Sequence, residues 1–391
     1  MKIAVASRAV APLHGRGGLE RAVADGCVAL AARGHDVTLF TANATASDAI
    51  TAMLPFRVVS VPWARVPLPL KRGGVLDRAA RYGAFVRRLA AAMLATGETY
   101  DAAIGHGAAA AALIPLVDAG RVRRLLVNPH GMEEFAAPPP KRRLLRGQRM
   151  LVQAAAAVAD RAIATDAALL PAVVRHLRIP PECVVVIPNG IDLAAVNAHA
   201  PRSVPPAHAP ILVSVGRMEA NKGLDVLVAA LRTVRGDLPT DWRWMHIGAG
   251  SARRRIERAA RRAGLTAHVA FPGAVPDARL HATLARAALF VHAARYEGSS
   301  LVTLEAMAHR LPVVATAVGG IPDKVVPGHT GWLVPPNDAP ALGAAIRDAL
   351  RTAPEDIRAM GERGRARVEH DFSLDAITTR LIAAIEGIPE R

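Results

Sequence analysis

Cysteine is nearly absent from this 391-residue chain: Cys27 and Cys183 are its only two. They have no metal-type spacing and no close partner in sequence. That argues against a disulfide framework and for a reducing, cytoplasmic compartment. Aromatic residues make up only 4%, so no stacking platform for single-stranded nucleic acid is available. With 51% hydrophobic residues, the interior must be built from Ala, Val, Leu and Ile, which suits buried parallel strands covered by helices. Lysine is scarce too, occurring only at 2, 71, 141, 222 and 324, although the net charge is +16. The basic excess is therefore arginine, and it reads as compositional bias, not as a nucleic-acid surface. The longest apolar run, Ala102 to Val117, is interrupted by His106 and two glycines and is shorter than the roughly 20 residues of a membrane span. The opening Met1–Ser7 is too short an apolar run for a signal peptide. No Asp-x-Asp run occurs, so no carboxylate pair is set up to hold a divalent cation, and no metal site is expected.

What is present is alternation. Lys2–Ser7 reads as a buried strand, followed by the loop His14-Gly15-Arg16-Gly17-Gly18 and a helix stripe at Leu19, Ala22, Val23, Cys27 and Leu30. Gly34 ends that helix, and Asp36–Phe40 is the next strand. This is the opening of a doubly wound sheet. Further strands are expected at Ala102–Ile104, Arg124–Val127, Arg161–Ala164 and Val184–Ile187. Pro201–Pro210 is a proline-rich linker, after which the pattern restarts with a strand Ile211–Val215 and a helix stripe at Leu224, Leu227, Val228 and Leu231. Trp244–Ile247, Val269–Phe271, Ala288–His292 and Pro312–Ala315 follow as strands. The expectation is an α/β protein with two Rossmann-like domains, residues 1–200 and 201–371, whose sheets offer a ligand crevice at their carboxyl ends.

The most informative stretch is Tyr296-Glu297-Gly298-Ser299-Ser300-Leu301-Val302-Thr303-Leu304-Glu305. A Gly-Ser loop at a helix start presents unpaired backbone N–H groups to an anion. It places Glu297 at the helix mouth and Glu305 about two turns inside, roughly 8 Å deeper. Phosphate binds at such a mouth, and carboxylates can hold sugar hydroxyls. Arg217 and Lys222, in Gly216-Arg217-Met218-Glu219-Ala220-Asn221-Lys222-Gly223, flank the turn after the second domain's first strand. A forked guanidinium and a compact ammonium there could neutralise a diphosphate leaving group. His246-Ile247-Gly248-Ala249-Gly250-Ser251 is a strand followed by Gly-x-Gly, and Phe271-Pro272-Gly273-Ala274-Val275 is another strand-end turn. His106-Gly107 and His130-Gly131 are near duplicates after two strands of the first domain, and the residues alone do not separate them.

These motifs resemble the retaining GT-B glycosyltransferases of family 4 (glycosyl transferases group 1). The E-x7-E pair Glu297/Glu305, the Gly216–Gly223 pattern, Asn189-Gly190-Ile191-Asp192, and the run from Gly319-Gly320-Ile321-Pro322-Asp323 to Gly328–Val334 carry the resemblance. Asp323 stands where the family often has Glu. The resemblance implies a GT-B fold with two domains facing each other across a cleft, and a C-terminal helix within 372–391 packed back on the first domain. It implies transfer of a sugar from a nucleoside-diphosphate sugar to a glycan, lipid or small-molecule hydroxyl, with no metal cofactor. The implied catalytic residues are His130, Glu297, Arg217 and Lys222. The implied donor-binding residues are Gly17, Gly18, Gly248, Gly250, Val275, Gly298, Ser299, Ser300, Leu301, Val302 and Glu305.

Three rivals have distinct signatures. A nucleotide-sugar epimerase or hydrolase shares the cleft and would act without an acceptor. A non-catalytic two-lobed sugar-binding protein would carry a secretion signal. A dehydrogenase would need G-x-G-x-x-G, which His14–Gly18 is not. Arg57–Arg88, with eight basic residues against Asp77, and Pro140–Leu151, with cations and leucines at helical spacing, raise peripheral contact with an anionic membrane as an expectation. Acceptor, donor base and sugar, and oligomeric state are not legible.

Overall fold

The computed structural model describes residues 1–15, 17–43, 51–64, 75–136, 142–143, 145–198 and 209–388. They form two compact units, Met1–Gly190 with Leu374–Arg391, and Ile191–Ser373. The chain changes unit at two adjoining places. Within the second unit, Ile191 N–H donates to Phe372 O at 2.8 Å. Within the first, Gly190 lies so close to Leu374 that a Cβ would crowd its backbone. The proline-rich linker expected at 201–210 lies almost wholly outside the described residues, as do 65–74 of the first basic stretch and 140, 141 and 144 of the second.

The first unit is a seven-stranded parallel sheet in the order β3-β2-β1-β4-β5-β6-β7. Its strands are β1 (Lys2–Ala6), β2 (Asp36–Ala42), β3 (Arg57–Val61), β4 (Ala102–His106), β5 (Leu125–Asn128), β6 (Arg161–Ala164) and β7 (Val184–Val186). Six of these stand where the apolar runs place them. The seventh, β3, is an edge strand whose residues are mostly half-exposed. An edge strand needs no continuous apolar pattern, so Arg57-Val-Val-Ser-Val reads as the start of a basic stretch. The run Ala102–Val117 is not one helix. It is β4, a buried 3-10 turn Gly107–Leu113 and a short helix Ile114–Asp118. The turn packs directly on the strand: a Cβ on Gly105 would collide with Ala110.

Each face of this sheet has its own core. On one face Phe40, Phe85, Leu89, Met93, Tyr100 and Val152 are buried together. On the other, Ile3, Val5, Val23, Cys27, Leu30 and Ile104 pack with Ile377, Ile385 and Ile388. The last three come from the terminal helix Leu374–Glu386 and its end. Their burial contributes on the order of 5 kcal/mol before conformational entropy. The Arg33 guanidinium also bonds Asp375, and Arg124 Nε donates to Ile388 O at 2.8 Å. The C-terminal segment is thus part of the first unit.

The second unit is a six-stranded parallel sheet in the order β10-β9-β8-β11-β12-β13. Its strands are β8 (Ile211–Val215), β9 (Arg243–Ile247), β10 (Val269–Gly273), β11 (Leu289–His292), β12 (Val313–Thr316) and β13 (Gly331–Val334). The last, a short edge strand, was not evident in the sequence because Gly331 opens it. A Cβ there would collide with the Val313 carbonyl, so glycine is what lets β13 approach β12. Trp244, Leu227, Leu231, Val291, Val314 and Ile346 fill one face. The strand order reverses between β8 and β11, which makes the carboxyl ends of these two strands the switch point where open α/β sheets bind ligands. Among the described residues, no helix is long and apolar enough to cross a membrane.

Candidate functional site

At that switch point the loops after β8 and β11 are stitched together by their backbones. Arg295 N–H donates to Asn221 O at 2.7 Å. Gly223 has φ +62 and approaches so closely that a Cβ would strike the Ala293 carbonyl. Neighbouring loops join in sequence order across the sheet. Met218 N–H donates to Ala249 O at 2.9 Å, and Gly248 N–H donates to Gly273 O at 2.9 Å. Gly248 and Gly250 lie against the backbone of Gly216 and Met218, with no room for a side chain. On the other side Gly320 N–H donates to Gly298 O at 2.8 Å, and Gly319, at φ +52, abuts the Glu297 carbonyl. The glycine motifs are therefore close-approach positions. They bring the Gly216–Gly223, Gly248–Ser251, Ala293–Ser300 and Gly319–Gly320 segments into one cluster at the carboxyl edge of the sheet. Val275 follows two residues after β10 on the same edge.

Glu297 stands at the centre. Lys222 Nζ donates to its Oε2 at 2.6 Å, and His292 Nε2 lies 2.7 Å from the same oxygen. Its side chain is 13% exposed, and those of Lys222 and His292 are 15% and 4% exposed. Burial alone would push this carboxyl up. The His292 hydrogen bond and the Lys222 charge outweigh it and hold Glu297 well below the ordinary carboxylate range. Both bonds fall on Oε2. Among the described residues Oε1 has no hydrogen-bond partner. The carboxylate is ionised, oriented, and still able to accept two hydrogen bonds.

Next to it, Ser300 caps the helix Leu301–Ala308, its hydroxyl accepting from Thr303 N–H at 3.4 Å. The first-turn N–H groups of Leu301 and Val302 have no acceptor within the helix. Glu305, in the second turn, is 3% exposed. Arg217 lies on the loop after β8 and is exposed.

Several residues that hold this cluster were missed in the sequence. His292 closes β11 and orients Glu297. Arg295 spans the seam: its guanidinium makes a two-pronged contact with Asp225 at 2.8 and 2.9 Å and donates to Ala220 O at 2.7 Å and Asn337 Oδ1 at 2.6 Å. His246 bonds Ser214 Oγ at 2.8 Å and Gly216 O at 3.1 Å, and burial pushes its imidazole down to about 4. Trp244 Nε1 donates to the same Ser214 Oγ at 2.9 Å, so a buried polar chain underlies the Gly216 turn. No local pattern marks these residues, because each acts across strands distant in sequence.

The remaining candidates belong to the first unit. Gly17 precedes the helix Gly18–Ala32, and neither glycine carries a side chain there. His106 and His130 are in contact: Nδ1 of His106 lies 2.8 Å from Nε2 of His130, with the rings stacked at 27°. His130 has φ +56, a left-handed conformation costly for a non-glycine residue, and its N–H donates to Asn128 Oδ1 at 2.8 Å. Burial pushes His130 down to about 4 and His106 well below its ordinary value. Both imidazoles are neutral at pH 7.

Comparison with known proteins agrees with this architecture. The family model Glycosyltransferase Family 4 matches residues 16–195, and the model Glycosyl transferases group 1 matches residues 197–367. WcaL of Salmonella typhimurium, named as a colanic acid biosynthesis glycosyltransferase, is 31% identical over 55% of this chain and 53% of its own length. The chain thus spans about half of that relative. A GDP-mannose-dependent alpha-(1-6)-phosphatidylinositol monomannoside mannosyltransferase of Mycolicibacterium smegmatis is 31% identical over 69% of this chain and 72% of its own length. Among solved structures, sucrose-phosphate synthase from Thermosynechococcus elongatus superposes with a TM-score of 0.80 at 26% identity, covering 99% of this chain and 98% of that one.

The pairing of Glu297 has a stability signature. Its folded pKa is depressed, so its stabilisation is fully present above the unfolded value of about 4.5 and is lost as pH falls toward the folded value. Glu297→Gln should lower stability at pH 7 by about 2 kcal/mol in denaturant titrations. The difference from wild type should narrow between about pH 5 and pH 3. A difference independent of pH would show that the carboxylate is not held by Lys222 and His292.

Proposed function

Since the chain belongs to the family 4 (group 1) glycosyltransferases of the GT-B fold, we propose that it moves a sugar from a nucleoside-diphosphate sugar to an acceptor hydroxyl with retention of anomeric configuration. The observation that carries this reading is the Glu297 carboxylate, fixed through Oε2 by Lys222 and His292 with Oε1 left to bind, beside a helix start on the Gly-Ser loop. A relative named as GDP-mannose-dependent supports a nucleoside-diphosphate donor. Relatives named for colanic acid and for a phosphatidylinositol mannoside support a glycan or lipid-linked acceptor.

In this reading the N–H groups from Ser299 to Val302, with Arg217 and Lys222, face the diphosphate. Glu297 Oε1 accepts from a donor sugar hydroxyl, and Glu305 accepts from the ribose diol. Gly248, Gly250 and Val275 border the nucleoside. His130, neutral at pH 7, is the first unit's candidate catalytic residue. The bond between the anomeric carbon and the leaving phosphate oxygen breaks as the acceptor oxygen attacks the same face. The acceptor proton passes to the departing phosphate oxygen, so charge and atoms balance. Preorganised N–H donors and cations stabilise the negative charge that develops on the diphosphate by a few kcal/mol each. Arg217 and Lys222 take the place a divalent cation would otherwise fill. We also read peripheral contact with an anionic membrane from exposed Leu76 (69%) and Met150 (59%) on helices that also carry Arg81, Arg146 and Arg149.

Thermal-shift panels of UDP, GDP, ADP and their sugars should find one series that raises Tm by about 5–10 °C at saturation. Lys222→Ala should abolish that shift and cut kcat/KM at least about 100-fold. Full activity in Lys222→Ala would overturn the assignment. EDTA should leave turnover unchanged; inhibition reversed by Mg²⁺ or Mn²⁺ would refute the metal-free reading. Vesicles with anionic lipid should retain the protein at low salt and release it at high salt, whereas equal indifference to neutral and anionic vesicles would remove the membrane contact.

A further inference from the structure

Lys324 is fully buried, although a buried ammonium is costly unless its charge is used. It follows the Gly319–Asp323 turn and reaches back under the Gly-Ser loop. Its Nζ donates to Ser299 Oγ at 3.3 Å and to Gly320 O at 3.2 Å, and lies 5.8 Å from the Phe372 ring centroid. Its backbone is clamped by Arg367, which donates to Lys324 O at 3.1 Å and Asp323 O at 2.8 Å. The ammonium is thus placed by the fold and is not a mobile surface cation.

We propose that Lys324 is a positioning residue for donor binding: its ammonium fixes Ser299 Oγ as an acceptor, which aims the Ser299 O–H outward as a donor to the diphosphate. The chemistry of the two groups sets this direction. An ammonium has three donors and no acceptor, so in the Lys324–Ser299 bond the serine oxygen can only accept. The one hydroxyl hydrogen must then point away from Lys324. Ser299 is half-buried, immediately before the capping Ser300 and beside the free first-turn N–H groups. A hydroxyl polarised by a charged donor is also a stronger donor itself. Ser299 thereby joins the backbone donors as a side-chain donor to an anion. The inference rests on the donor site proposed above.

The test is calorimetric titration of wild type, Lys222→Ala, Lys324→Met, Ser299→Ala and the Lys324→Met/Ser299→Ala double variant with UDP, GDP and ADP. The tightest of the three, and its monophosphate, are then carried through the series. Methionine keeps the volume without the charge. Each of the Lys324 and Ser299 single variants should weaken the diphosphate about tenfold, and the double variant should bind no worse than the weaker single. Monophosphate affinity should change less than about threefold, a selectivity that general loosening of the fold would not produce. Losses that multiply in the double variant, or a Lys324→Met protein that binds as wild type, overturn the proposal. Should Lys324→Met fail to fold, Ser299→Ala decides alone: unchanged diphosphate affinity overturns the proposal and a tenfold loss supports it. If wild type binds none of the three diphosphates, or Lys222→Ala binds as tightly as wild type, the donor site itself is wrong, which is a separate outcome.

Discussion

A single carboxylate oxygen, Oε2 of Glu297, ties two segments of the second unit's site together. It is shared by Lys222, from the loop after β8, and by His292, from the end of β11. A buried carboxylate without partners would protonate and lose its capacity to accept. With two partners on one oxygen it stays charged, and the other oxygen keeps its capacity to accept. Removing either partner would leave the remaining charge partly desolvated, so the three residues act as a unit and their effects on binding should not add.

This arrangement depends on backbone approach more than on side-chain packing. Gly223, Gly248, Gly250 and Gly319 each occupy a place where a Cβ would meet a carbonyl or backbone atom of the adjoining loop. The loops can then hydrogen-bond edge to edge, and the sheet below fixes their spacing. Arg295 closes the seam with its bonds to Asp225, Ala220 and Asn337. Ligand-binding groups on such loops inherit the rigidity of the strands, which is what preorganised electrostatics requires.

Much of the fold was legible because buried parallel strands leave continuous apolar runs, and glycine punctuates each turn. The edge strands β3 and β13 were not, since an edge strand can be half-polar or begin with glycine. Candidate site residues stood out where the residues lie close together in sequence, as with Glu297 through Glu305 or Arg217 with Lys222. His292, Arg295, His246 and Ser214 were silent because their partners lie on other strands. That the two histidines of the first unit touch was not legible, because sequence cannot show that β4 and β5 are neighbours. The chain has five lysines among 49 basic residues, and two of them, Lys222 and Lys324, stand at this site.

The central claim is that a nucleoside diphosphate sits on the loop cluster of the second unit, against the start of the helix Leu301–Ala308. Crystals grown with the preferred nucleoside diphosphate test it most directly. Density for the two phosphates is expected within hydrogen-bonding distance of backbone N–H groups between Ser299 and Val302 and of Lys222 or Arg217. Diphosphate density at any other place on the molecule, with those groups left in contact with solvent alone, would contradict it.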